Sequence, residues 1–152
     1  PEALRFLEWW CAENNRCAPE ENPNLALESA AARFMLEQLE LLEARGMAVR
    51  IDGKIAAFAV VTSLTQQMRV LNFEKADARI PGLYQFLDRE CARKLFDGVK
   101  YINKESDMGS PGLAHSKESY NPVHRIRCFR LSLRTEEAVG QDEQDLRKKS
   151  HG

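Results

Sequence analysis

Two acids and a handful of polar residues give this chain its means of doing chemistry. Glu74 lies in Phe73-Glu74-Lys75-Ala76-Asp77, and Asp107 lies in Tyr101-Ile102-Asn103-Lys104-Glu105-Ser106-Asp107. Transfer of an acyl group needs a base for the attacking amine or hydroxyl and donors for the developing oxyanion. A carboxylate serves as such a base, and it also holds a substrate ammonium. Glu74 and Asp107 are therefore the catalytic candidates. Lys75, Asn103, Glu105, Lys117 and Tyr120 are the substrate-binding candidates; Lys117 offers a cation to phosphate or carboxylate, and Tyr120 a phenolic donor. Plainer readings stand beside these. Glu74 pairing with Lys75 or Lys104 is an ordinary salt bridge, and Tyr120, ahead of Asn121-Pro122, caps a loop by packing.

These residues need elements to position them. Ala3, Leu4, Leu7, Trp10 and Cys11 recur at helical spacing, so residues 3–14 predict a helix with one buried face. Asn22-Pro23-Asn24 reads as a helix start, and Leu27, Ala31, Phe34, Met35, Leu39 and Leu42 form an apolar stripe that ends at Gly46. Met47 to Ile51 leads through the tight-turn pair Asp52-Gly53 into Ile55–Val61, which is apolar on both faces, as a central strand requires. Met68 to Lys75 alternates, with Met68, Val70, Asn72 and Glu74 on one face and Arg69, Leu71, Phe73 and Lys75 on the other. A helix is predicted from Gly82 to Phe96, a short strand from Val99 to Asn103, a long loop from Lys104 to Arg125, and a last strand from Ile126 to Leu133. Glu74 and Asp107 thus each fall at the end of a predicted central strand.

The order helix, helix, three strands, helix, strand, loop, strand is an α+β arrangement: mixed α/β layers with a partly antiparallel central sheet flanked by helices. The 152 residues suit one domain over 1–134, and the charged stretch 135–152 reads as a disordered tail. A first residue of Pro1 predicts a piece of a longer polypeptide. Lys and Arg total 22 against 23 Asp and Glu, which excludes a generally basic nucleic-acid coat protein. From Lys117 to Arg134, however, five cations face the single acid Glu118, a patch suited to an anionic partner or to blunting an edge strand. No apolar run reaches the ~20 residues of a membrane-spanning helix. Cys11, Cys17, Cys91 and Cys128 form no CxxC pair, and His115, His124 and His151 lack ligand spacing, so no metal is expected and all four cysteines read as reduced thiols.

Two separated segments resemble a known family. Phe73-Glu74-Lys75-Ala76-Asp77, and Tyr101 through Gly109, Pro111, Gly112 and Leu113 to Lys117, Ser119, Tyr120 and Pro122, are similar to the paired motifs of the phosphatidylglycerol lysyltransferase C-terminal-like family. The resemblance implies a GNAT-like acyltransferase fold lacking its first strand, carried as the second of two such domains. It also implies transfer of an aminoacyl group from aminoacyl-tRNA to the head group of an anionic phospholipid, at the cytoplasmic face of the membrane and without a tightly held cofactor. This chain departs from the pattern where the family has arginines: Lys104 replaces one, and Ala114-His115-Ser116-Lys117 replaces an RKAK stretch. Lysine does not reproduce the bidentate fork by which arginine grips carboxylate or phosphate.

Two alternatives remain open at this point. One is a CoA-dependent N-acetyltransferase, which cradles acetyl-CoA or acyl-CoA with an R/Q-x-x-G-x-G/A loop at a helix start. Arg79-Ile80-Pro81-Gly82-Leu83-Tyr84 retains the Arg and first Gly, making Arg79 and Gly82 the cofactor-binding candidates; Pro81 removes an amide donor, and Tyr84 occupies the small residue's place. The other is a non-catalytic module of the same fold that binds a partner or completes the neighbouring domain. Trp9 and Trp10 cannot share one helix face, so one of them is expected to contact that domain or a membrane interface.

Overall fold

The computed structural model describes residues 2–13, 17–107, 109–127 and 129. They fall into two compact units, Pro1–Ser119 and Tyr120–Gly152. The first holds four helices and one four-stranded sheet. Helix α1 (Glu2–Ala12) buries Phe6, Leu7 and Trp10, close to the expected stripe. Helix α2 (Pro23–Glu37) starts where Asn22-Pro23 predicts: Asn22 Oδ1 accepts the Leu25 N–H at 3.1 Å, and Pro23 opens the first turn, where a missing N–H costs nothing.

The end and the buried face of α2 differ from expectation. The helix stops at Glu37, the chain turns through 39–43, and Glu43 (φ 49°) takes the left-handed conformation assigned to Gly46. Gly46 instead pairs with Val60 in the sheet. The buried positions of α2 are Ser29 and Ala32, while Leu27 and Phe34 are 71% and 56% exposed. Ala32 joins the core of α1 and the sheet, with Leu25, Met35 and Leu36 partly buried against it, and Leu27 and Phe34 are left on the outer side.

Strands β1 (Arg45–Ile51), β2 (Lys54–Thr65), β3 (Met68–Ala76) and β4 (Tyr101–Asn103) lie in sequence order, antiparallel except for the parallel pair β3–β4. Asp52 (φ 50°) and Gly53 (φ 77°) supply the two positive φ angles of a tight hairpin turn. Strand β2 is buried on both sides, as its composition predicts. Ala57, Ala59 and Val61 pack with Leu83, Leu87, Cys91 and Leu95 around helix α3 (Leu83–Lys94), whereas Phe58 and Val60 pack with Phe6, Leu7, Trp10 and Ala32.

The strict alternation expected of β3 does not hold. Val60 pairs with Phe73 and Val61 with Leu71, so Asn72 is an extra residue, a bulge. Leu71 packs on the α3 side but Phe73 on the α1/α2 side, and Glu74 returns to α3. The Thr62 hydroxyl donates to Asn72 Oδ1 at 2.9 Å and holds the bulge.

The stretch expected as a loop, 104–125, contains helix α4 (Pro111–Glu118), which buries none of its side chains. With no apolar stripe to betray it, this helix rests on Pro111 at its start. Of the expected last strand, Ile126, Arg127 and Phe129 are not in strand conformation; its other residues and the tail 135–152 lie outside the described residues.

The cysteines also require a correction. Cys11 and Cys17 form a disulfide with their Cα atoms 5.0 Å apart, because the end of α1 and the segment before α2 meet beside Ser29. Cys91 is free and buried, and Cys128 lies outside the described residues. Among the described residues no helix is long and apolar enough to cross a membrane.

Candidate active site at the end of strand β3

The parallel pairing of β3 with β4 covers only Met68–Val70 against Tyr101–Asn103. Beyond it β3 continues to Ala76, while the chain after β4 turns away. Side chains bridge the divergence: Asn72 Nδ2 donates to Glu105 Oε1 at 3.4 Å, and Lys104 Nζ stands 3.6 Å from Glu74 Oε2.

Glu74 is the most perturbed carboxyl of the unit. It faces α3, with a side chain only 16% exposed, and burial raises its pKa to about 7 against the opposing pull of Lys104. The charge of Asp88 on α3 raises it further. Lys104 also donates to Asp88 Oδ1, so one ammonium serves two acids. Glu74 Oε1 is buried without a hydrogen-bond partner. Cys91, on the same side of α3, has its thiol pushed up to about 12 by burial and by the charges of Glu74 and Asp88, which keeps it a neutral thiol.

Asp88 was not legible as a site residue. Its only signal in the sequence is its position between Leu87 and Cys91, on the edge of the apolar stripe of α3.

The other candidates divide. Lys75 points to the opposite face from Glu74: it pairs with Glu28 at 2.5 Å and lies 4.3 Å from the centre of the Trp10 ring, with its side chain 5% exposed. The partner of Glu74 is therefore Lys104, not its neighbour in sequence. Asn103 Oδ1 accepts the Glu105 N–H at 2.7 Å. Glu105 (φ 54°) is left-handed, and burial raises the pKa of its carboxyl. Lys117 on α4 donates to the carbonyls of Lys104, Glu105 and Ser106. Asp107 Oδ1 accepts the Gly109 N–H at 2.9 Å, which places its carboxylate in the turn leading to α4. Tyr120 belongs to the second unit, where it is about half exposed.

Arg79 and Gly82 stand at the opening of α3. Gly82 (φ 77°) caps the helix in a left-handed conformation that a larger residue resists. Arg79 binds Asp77 through two bonds of 2.9 Å and stacks 4.9 Å from the Trp9 ring centre. That fork is the geometry arginine uses for a phosphate, here directed at a carboxylate of its own loop. Among the described residues no three potential metal ligands converge.

The chain is similar to a solved structure, a conserved protein of unknown function from Bacteroides thetaiotaomicron, with 32% identity and a TM-score of 0.75 over 81% of its own length. It spans 40% of that longer chain. No curated protein matches it. The family model for the C-terminal part of phosphatidylglycerol lysyltransferase matches residues 1–131, nearly all of the residues described above. The chain therefore belongs to the phosphatidylglycerol lysyltransferase C-terminal family.

Proposed function

We propose that this domain is an acyl-transfer module that moves an aminoacyl group from aminoacyl-tRNA to a phosphatidylglycerol hydroxyl, with Glu74 as its base. The observation that carries this reading is a carboxyl titrating near neutrality at the end of β3, with one oxygen unpartnered and the other near Lys104. A general base works best when its pKa lies close to the working pH.

In this mechanism the lipid hydroxyl gives its proton to Glu74 as its oxygen attacks the ester carbonyl. The tetrahedral intermediate then expels the terminal ribose oxygen of the tRNA, which takes the proton back. The new ester bond replaces the old one, and no oxidant, metal or nucleotide is consumed. Lys104 and Asp88 tune the base, and Asn103 and Glu105 shape the exit of β4 beside Asn72. The family membership supports this chemistry, as does the anionic character of both substrates, which suits a chain with four arginines between Arg125 and Arg134.

The test is aminoacyl transfer to phosphatidylglycerol vesicles by the full-length protein carrying Glu74→Gln. Loss of transfer by about 100-fold or more, with folding retained, is expected of a missing base. Unchanged transfer removes Glu74 from the reaction.

A further inference from the structure

The three carbonyls of Lys104, Glu105 and Ser106 face one point, and that point is occupied by the Lys117 ammonium. The distances are 2.5 Å to Lys104 O, 3.4 Å to Glu105 O and 2.7 Å to Ser106 O. In extended chain successive carbonyls alternate sides, so three in a row cannot converge without a twist. Glu105 supplies it: its φ of 54° is one that residues other than glycine rarely adopt. Its N–H is held by Asn103 Oδ1 at 2.7 Å, which fixes the turn from the strand side. A lysine ammonium has three donors and no acceptor, and it meets this set of acceptors donor for acceptor.

From this turn two side chains leave in different directions. Lys104 reaches Asp88 and Glu74 beneath α3, while Glu105 reaches the bulge residue Asn72. The helix that carries Lys117 buries none of its own side chains, so it has no apolar anchor to hold that turn. We infer that Lys117 is a positioning residue: its ammonium knots the Lys104–Ser106 turn, and the knotted turn aims Lys104 at Glu74 and Glu105 at Asn72. A substrate-phosphate role is displaced by this assignment, because the donors of the ammonium are directed at backbone oxygens. The inference deepens the proposed function, in that it takes Glu74 as the base, but its test needs no turnover.

The groups that face Glu74 are Lys104 after β4, Asp88 and Cys91 on α3, and Lys117 on α4. Lys117→Arg keeps the charge but replaces a point donor with a planar fork that cannot meet three converging carbonyls. Lys117→Met removes both charge and donors. The side-chain carboxyl resonance of Glu74 is titrated in each variant, and amide hydrogen exchange is followed at Glu105. Both variants are expected to raise the Glu74 midpoint by about half a pH unit or more, as Lys104 loses its aim. Both are expected to speed Glu105 exchange by about tenfold or more as the turn opens.

If Lys117→Arg behaves as the parent and only Lys117→Met shifts the midpoint, Lys117 acts through charge alone and the inference fails. It fails equally if neither variant moves the midpoint, even where Lys117→Met weakens binding of phosphatidylglycerol vesicles. Should Glu74→Gln retain transfer while both Lys117 variants shift the titration, the base assignment falls and the positioning role stands.

Discussion

Lys104 stands 3.6 Å from Glu74 Oε2 and bonds Asp88 as well, so a single cation is shared between two acids while Glu74 Oε1 goes unpartnered. This imbalance explains how Glu74 keeps a high pKa beside a lysine. Half of one lysine does not offset burial plus a neighbouring carboxylate.

A pH dependence of stability follows. The pKa of Glu74 is raised from 4.5 in the unfolded chain to about 7 in the folded one. Between those values the folded state holds a proton that the unfolded state has released. Stability from this group therefore falls as pH rises across that window, by at most about 1.4 kcal/mol per pH unit. Glu74→Gln stays neutral throughout. Urea unfolding at pH 5 and pH 8 is expected to show the variant gaining on the parent at the higher pH; a constant difference would contradict the shifted pKa.

The bulge at Asn72 places Leu71 and Phe73, two positions apart, on opposite sides of the sheet. Asn72→Ala removes the acceptor for Thr62 and the donor for Glu105, and a loss of about 1–2 kcal/mol is expected. Deleting Asn72 restores plain alternation and keeps Leu71 and Glu74 on the α3 side and Phe73 on the other, so it removes only the bonds to Thr62 and Glu105. Circular dichroism of the deletion variant should still show cooperative unfolding, with a midpoint lowered like that of Asn72→Ala; loss of the transition would show that the bulge itself is required.

Trp10 Nε1 donates to Ala76 O at 3.2 Å across 66 residues of chain, and its ring lies against Lys75. Trp10→Phe keeps the apolar bulk and leaves that carbonyl without its donor. The expected cost is about 1–3 kcal/mol, visible as a fall of several degrees in the thermal midpoint. A midpoint within a degree of the parent would show that the bond contributes nothing.

Acetyl-CoA at millimolar concentration is expected to leave the thermal midpoint unmoved. A ligand at 100 times its dissociation constant adds about 2.7 kcal/mol, which such a measurement resolves easily. Arg79 is held by Asp77 and Trp9, and Pro81 offers no amide to a pyrophosphate. A rise of several degrees would restore the CoA-dependent reading.

The Cys11–Cys17 bond ties the end of α1 to the approach of α2. Peptide mapping should find these two thiols alkylated only after reduction, and Cys91 alkylated only after unfolding. Opening so short a loop is expected to cost about 2 kcal/mol. Alkylation of Cys11 in the unreduced protein would refute the pairing.

Local chemistry made much of this protein legible in its sequence. Asn22-Pro23 starts α2, Asp52-Gly53 turns the hairpin, and the run Ile55–Val61 is the buried strand, because capping, turn geometry and burial on two faces each act on a few adjacent residues. Glu74 was visible too, through its place at a strand end and its family motif. The tertiary structure decided what depends on distant partners. The bulge at Asn72 reversed the facing of β3 after Leu71 and sent Lys75 to Glu28 and Trp10, leaving Lys104 for Glu74. Packing through Ala32 turned α2 so that Leu27 and Phe34 face outward. Asp88 joined the site only because α3 crosses beside β3, and Lys117 found its three carbonyls only because Glu105 adopts a left-handed turn. Spacing along a chain reports which residues share a face of one element. Which faces meet is settled by the packing of elements far apart in sequence, and the pKa of Glu74 is a property of that meeting.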